Sequence, residues 1–210
     1  MLTRALIPLL FSVVSAVTFA GSLPVSPNVM GTPLVPAFAR ASFLHAMNPA
    51  IDLATALNYS LLYDEEGQLE GVNSDLAFAQ MLLETSFLRF GGQVRPGQNN
   101  FSGLGALDGG DKGLVFPSPR QGIRAQIQHL KYYATNLPLN ADPINPRLVR
   151  VKRATAPTVW LLAKSWASDP DYGKKLMDLM ERMVAHADRS ASGPARSPLP
   201  PLASPPVPRY

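Results

Sequence analysis

The chain has 210 residues, with 19 basic and 15 acidic side chains, a formal net charge of +4 and no cysteine. Without cysteine there is no disulfide staple, no cysteine metal site and no N-terminal lipid attachment, so packing alone must hold the fold. Setting aside Arg4 at one end and Arg189, Arg196 and Arg209 at the other leaves equal numbers of basic and acidic residues. The excess charge therefore belongs to the termini, which argues against a nucleic-acid-binding body.

Residues 1–20 combine one positive flank, Arg4, with an uncharged apolar run over 5–20, followed by the small residues Gly21 and Ser22. That is the pattern of a secretory signal peptide, and the run is shorter than the roughly 20 apolar residues that cross a bilayer. The expectation is a chain exported to the periplasm or the extracellular space, with no stable membrane insertion after signal cleavage. Residues 21–39 hold Pro24, Pro27, Gly31, Pro33 and Pro36 and read as a Pro-rich linker. Residues 189–210 are almost wholly Pro, Ser, Ala and Arg. They have too little apolar surface to offset chain ordering and read as a disordered tail. Between these ends, residues 40–188 suit one domain.

Apolar residues recur three or four apart over 37–45, 49–63, 74–90, 119–136, 155–165 and 171–187, predicting six helices. Asn48-Pro49 looks like the start of the second, and Ser74-Asp75 supplies a cap and a first-turn acid for the third. Strand character is confined to 104–106 and 113–116, joined by Asp108-Gly109-Gly110-Asp111 as a hairpin tip. The expected architecture is predominantly α with a small β-hairpin. The basic cluster Arg147, Arg150, Lys152 and Arg153 reads first as a solvated surface, with attraction to an anionic polymer as the sharper alternative. His45, His129 and His186 are not spaced as a metal pair, and neither a metal nor a cofactor is expected.

The candidate chemistry lies in segment 77–104. If 74–90 is one helix, Glu84 stacks with Ala77, Gln80, Met81, Phe87 and Leu88, four of which are apolar. A carboxyl so placed in a cleft loses hydration and holds its proton toward neutral pH, as a general acid must. The glycine-rich stretch from Gly91 to Gly97 then turns the chain back toward Asn99, Asn100 and Phe101. Asparagines in such a turn satisfy backbone groups or face a ligand, and Phe101 reads as a packed ring before a sugar platform.

The series Ala79-Gln80…Glu84-Thr85, then Asn99-Asn100-Phe101 and Gly103, resembles the glucosaminidase family of bacterial peptidoglycan hydrolases, glycoside hydrolase family 73. The likeness extends through residues 116–133 and through Trp166-Ala167-Ser168-Asp169-Pro170-Asp171-Tyr172, covering about 40–186. It implies a lysozyme-like helical domain that cleaves the β-1,4 bond after N-acetylglucosamine, with peptidoglycan glycan strands as the partner. Glu84 would be the catalytic acid and Tyr172 its assistant, with Gln80, Asn99, Asn100, Phe101 and Trp166 along the substrate. Two departures stand out: Ser86 occupies a position the family gives to glycine, and the hairpin offers Asp108 and Asp111 where some members carry a glutamate. The second half of the reaction would then fall to Asp108, Asp111 or the substrate's own N-acetyl oxygen. A non-catalytic wall-binding module is the alternative, and a lytic transglycosylase a third reading.

Overall fold

The computed structural model describes residues 24–106 and 113–192, apart from the side chains of Pro146 and Arg147. Among the described residues six α-helices appear in chain order: α1 Ala37–Met47, α2 Leu53–Glu70, α3 Ser74–Glu84, α4 Pro119–Ala134, α5 Val159–Ser165 and α6 Tyr172–Ala191. Short 3-10 turns lie at Pro96–Gln98 and Pro146–Arg150. The fold is thus predominantly helical, as its apolar spacing predicts.

The centre of the molecule is α3, buried at every position from Ser74 to Leu82 and packed against α2, α4 and α6. Asn73 caps it by accepting the Asp75 N–H at 3.0 Å, one residue earlier than the Ser74 cap that the sequence suggested. Asp75 is then free to work across the fold. Its Oδ2 accepts the N–H groups of Leu34 and Val35 at 2.6 and 3.1 Å, and its Oδ1 binds the fully buried Arg40 at 2.8 Å. Arg40 also bonds Ser60, Ser74 and Asp64.

Helix α2 begins later and ends later than periodicity implied. Its start is set by Asp52, which accepts from Thr55 N at 2.8 Å and Thr55 Oγ1 at 2.7 Å, a stronger cap than Asn48-Pro49 offers. Asn48 instead sends its Nδ2 to the Phe87 carbonyl at 2.7 Å. The extra turns of α2 are held by ion pairs to α4. Glu66 meets Arg124 through two bonds and Arg120 through one, while Glu70 pairs with Lys131 at 2.7 Å with both side chains buried. Gly71, at φ +76, closes the helix in the left-handed region.

Two further expectations are corrected by the packing. Residues 24–36 are not a free linker: Val29 and Val35 are buried, Val29 N–H donates to the Pro157 carbonyl, and Asn73 N–H donates to the Val29 carbonyl. Proline there prevents helix but not an extended strap whose other residues still bond neighbours. At the other end, α6 continues to Ala191, into the stretch read as tail. The flanks of the expected hairpin do meet, with Leu114 N–H donating to the Leu104 carbonyl at 2.8 Å, but Phe116 N–H turns aside to the Gln98 carbonyl. The hairpin tip with Asp108 and Asp111, residues 1–20 and the end of the tail lie outside the described residues. No helix among the described residues is long and apolar enough to cross a membrane.

Candidate active site

Glu84 is the last residue of α3, not a mid-helix position. The helix stops because Thr85 turns its hydroxyl onto the Met81 carbonyl at 2.7 Å and also accepts the Leu88 N–H at 2.9 Å, a local bonding that competes with helix continuation. Ser86, Phe87 and Leu88 follow at φ +51, +58 and +60, and Phe90 at +57. Phe87 and Leu88 therefore do not stack on Glu84 as a continuous helix would require. The left-handed turn favours glycine at position 86: a residue with a Cβ, as Ser86 has, is strained there.

Around Glu84 the elements converge. Tyr172, the first residue of α6, donates its hydroxyl to Glu84 Oε1 at 2.5 Å. It can come this close because Gly173 lies against α5, where an added Cβ would sit 2.7 Å from the Val159 carbonyl oxygen. Trp166, at the C-terminal end of α5, lies near enough to Glu84 to favour its charged form. Its ring packs on His129 and Tyr133, with centroids 6.2 and 5.9 Å away. From the facing side, a methyl built on Gly103 would lie 3.9 Å from Glu84 Oε2, so bare backbone at φ +70 faces that oxygen. The cleft between has a volume of about 320 Å³, lined by Glu84, Phe90, Gln93, Val94, Asn100 and Gly103 among others, at the small end of ligand-site sizes. A larger cavity of about 530 Å³ lies behind the 85–90 turn against α6 and does not include Glu84.

Glu84 is exposed at the cleft mouth yet backed by protein on its other sides. This loss of hydration raises its carboxyl above the ordinary glutamate value of 4.5, while the Tyr172 hydrogen bond and the nearby Trp166 side chain pull in the opposite direction. Its place at a helix C-terminus adds to the upward push. Tyr172 is driven well above the usual phenol value, first by burial and then by the neighbouring Glu84 charge. It remains a neutral donor.

The other sequence-derived residues divide by role. Gln80 is fully buried and does not reach the cleft: its Nε2 donates to Tyr172 Oη at 3.0 Å. Asn100 spends both amide hydrogens on the carbonyls of Leu104 and Leu114 and accepts from Leu104 N–H, while Asn99 donates to the Phe116 carbonyl. Both asparagines thus brace the loop, with Asn100 also in the cleft wall. Phe101 is buried with its ring against Tyr59, centroids 5.3 Å apart, which corrects its candidacy as a sugar contact. The loop lies on α4 only because Gly122 has no side chain, since a Cβ there would meet the Asn99 carbonyl oxygen at 1.7 Å.

Two residues near the site escaped sequence reasoning. Gln126 Nε2 donates to both the Gln80 Oε1 and the Ala77 carbonyl at 2.9 Å, and Tyr63 Oη donates to Gln126 Oε1 at 2.6 Å. The available signal was a glutamine on the apolar stripe of α4, beside Ile123, Ile127 and Leu130. The three histidines are engaged elsewhere: His45 with the Ile51 carbonyl, His129 with the Ala125 carbonyl, and His186 with the Ser42 hydroxyl. Among the described residues no group of three or more His, Asp or Glu is placed to hold a metal.

The fold and the site define a predominantly helical protein with a glutamate carboxyl of raised proton affinity at the edge of a cleft. Residues 60–184 match the family model Glucosaminidase, described as mannosyl-glycoprotein endo-beta-N-acetylglucosaminidase. The chain belongs to this glucosaminidase family of peptidoglycan hydrolases. It is also 40% identical over 146 residues to an uncharacterized protein of Borreliella burgdorferi, covering 70% of this chain and 72% of the relative. No solved structure matches.

Proposed function

We propose that the protein is an exported endo-β-N-acetylglucosaminidase that hydrolyses the β-1,4 bond after N-acetylglucosamine in bacterial peptidoglycan. The observation that carries this reading is Glu84 itself, a carboxyl of raised proton affinity at the cleft with one oxygen held by Tyr172. Cleaving a glycosidic bond requires a proton on the leaving oxygen as the sugar becomes oxocarbenium-like, and in this reading Glu84 gives it. When that proton leaves, the carboxylate formed is met by the Tyr172 hydroxyl, with the Trp166 side chain nearby also favouring the charge. Export follows from the signal pattern of residues 1–20, and periplasmic or extracellular action agrees with a family that works on the wall.

Displacement at the anomeric carbon is carried by Asp108 or Asp111 activating water, or by the substrate's N-acetyl oxygen. Replacing both aspartates by asparagine separates these routes: activity survives only in the substrate-assisted one. For the function as a whole, Glu84→Gln is expected to abolish release of reducing ends from purified sacculi while the circular dichroism spectrum is unchanged. Undiminished release by that variant overturns the assignment. Mass spectrometry of the products distinguishes the other classes, because anhydro-muramyl ends mark a lytic transglycosylase and binding without soluble product marks a wall-binding module.

A further inference from the structure

Four buried side chains stand behind Glu84 in one unbroken series: Tyr63, Gln126, Gln80 and Tyr172. Glutamine amides present a donor end and an acceptor end of nearly the same shape, so such a series has two conceivable directions. A fixed backbone group removes one of them. The Ala77 carbonyl lies 2.9 Å from Gln126 Nε2, and a carbonyl can only accept. Gln126 must therefore turn its amino end toward α3 and its oxygen toward Tyr63, which donates to it at 2.6 Å. The second Gln126 hydrogen goes to Gln80 Oε1 at 2.9 Å, and this fixes Gln80 with its own amino end toward Tyr172 Oη at 3.0 Å. Reversing Gln80 would set two amino groups against each other in the core, an unpaired arrangement that burial makes costly.

Tyr172 Oη already accepts from Gln80, so its single proton points to Glu84 Oε1. We propose that Gln126 is a positioning residue that imposes this direction, keeping Glu84 Oε1 an acceptor and the transferable proton on Oε2, the oxygen facing Gly103. The inference rests on the reading of Glu84 as the acid. In the reaction the Oε2–H bond breaks, the proton passes to the leaving oxygen, and the electron pair stays on the carboxylate. Without Gln126 the Gln80 amide is free to turn, and Tyr172 gains a competing acceptor in Gln80 Oε1. Among the described residues Tyr172 is the titratable group bonded to Glu84, and its phenol stays neutral throughout.

The test follows the Glu84 carboxyl carbon by NMR titration, without substrate, in wild type, Gln126→Leu and a destabilised core control, Leu130→Ala. The expected result is a higher Glu84 pKa in Gln126→Leu alone, because the carboxylate loses a donor, with sacculus hydrolysis reduced at least about tenfold. An unmoved Glu84 titration in folded Gln126→Leu overturns the proposal, as does an equal shift in Leu130→Ala. If Gln126→Leu fails to fold, wild type still decides: the Gln80 side-chain amide protons must give nuclear Overhauser contacts to the Tyr172 ring, and their absence overturns the direction. A wild type that shows the titration and these contacts but leaves sacculi intact would refute the hydrolase reading and leave the positioning role standing.

Discussion

Glu84 sits where its charge is least welcome, at the C-terminal end of a buried helix with protein behind it. Its folded proton affinity exceeds the unfolded value of 4.5, so between those two values the native chain holds a proton that the unfolded chain has released. The associated stability is complete below about pH 4.5 and is lost as the pH rises through the folded value. Glu84→Gln removes that loss while keeping an acceptor for Tyr172. Melting temperatures compared across about pH 3 to 8 should therefore coincide at the acid end and favour the variant near neutrality; a less stable variant at pH 7 would contradict this. Ser86 is strained for a different reason, its φ of +51. Relief of the left-handed penalty, about 1–2 kcal/mol, outweighs the added freedom of an unfolded glycine, about 0.5–1 kcal/mol. Denaturant unfolding should show Ser86→Gly more stable by about 0.5–1 kcal/mol.

At the scale of elements, the site depends on two contacts that leave no room for a methyl group. Gly122 lets the 99–103 loop lie on α4, and Gly173 lets α6 lie on α5 beside Tyr172. Alanine at 122 would drive a Cβ into the Asn99 carbonyl, so either the loop or α4 must move. Gly122→Ala is expected to cost at least about 2 kcal/mol by chemical denaturation and to lower hydrolysis further than stability alone explains, because Asn100 and Gly103 retreat from Glu84. The buried pairs between α2 and α4 have a related logic. Glu66 and Glu70 carry charge into the interface only because Arg120, Arg124 and Lys131 meet them there.

For the whole molecule, the extended segment before α1 is part of the domain. Val29 and Val35 join the core, Gly31 N–H bonds Gly71, and Val159 N–H bonds Pro27. This strap ties the loop before α3 to the start of α5. A chain beginning at Ala37 should melt several degrees below one beginning at Pro24, as expected when about 1 kcal/mol or more is removed from a domain of this size. Equal melting temperatures would show that the strap contributes nothing.

The helical content, the glycine-rich stretch after Phe90 and the motif residues were legible in the chain because each depends on local spacing: apolar periodicity, caps, and glycines in series. The helix ends were less legible. Asp52 displaced Asn48 as a cap, and the end of α3 was set by Thr85 bonding back to Met81, which an apolar pattern running on to Phe90 conceals. Proline composition also misled over residues 24–36, since it reports only that a segment is not helical and not whether its valines are buried.

By itself the sequence determined the class of fold and singled out Glu84 as the candidate acid, because amphipathic spacing and a compact motif are carried by neighbouring residues. Only the tertiary structure decided what surrounds that acid. Tyr172 lies 88 residues from Glu84, and Gln126 lies 46 from Gln80. Hydrogen-bond direction, loss of hydration and the fit of a glycine against a carbonyl arise only when such distant segments pack together, and these physical terms turn an ordinary glutamate into a candidate proton donor.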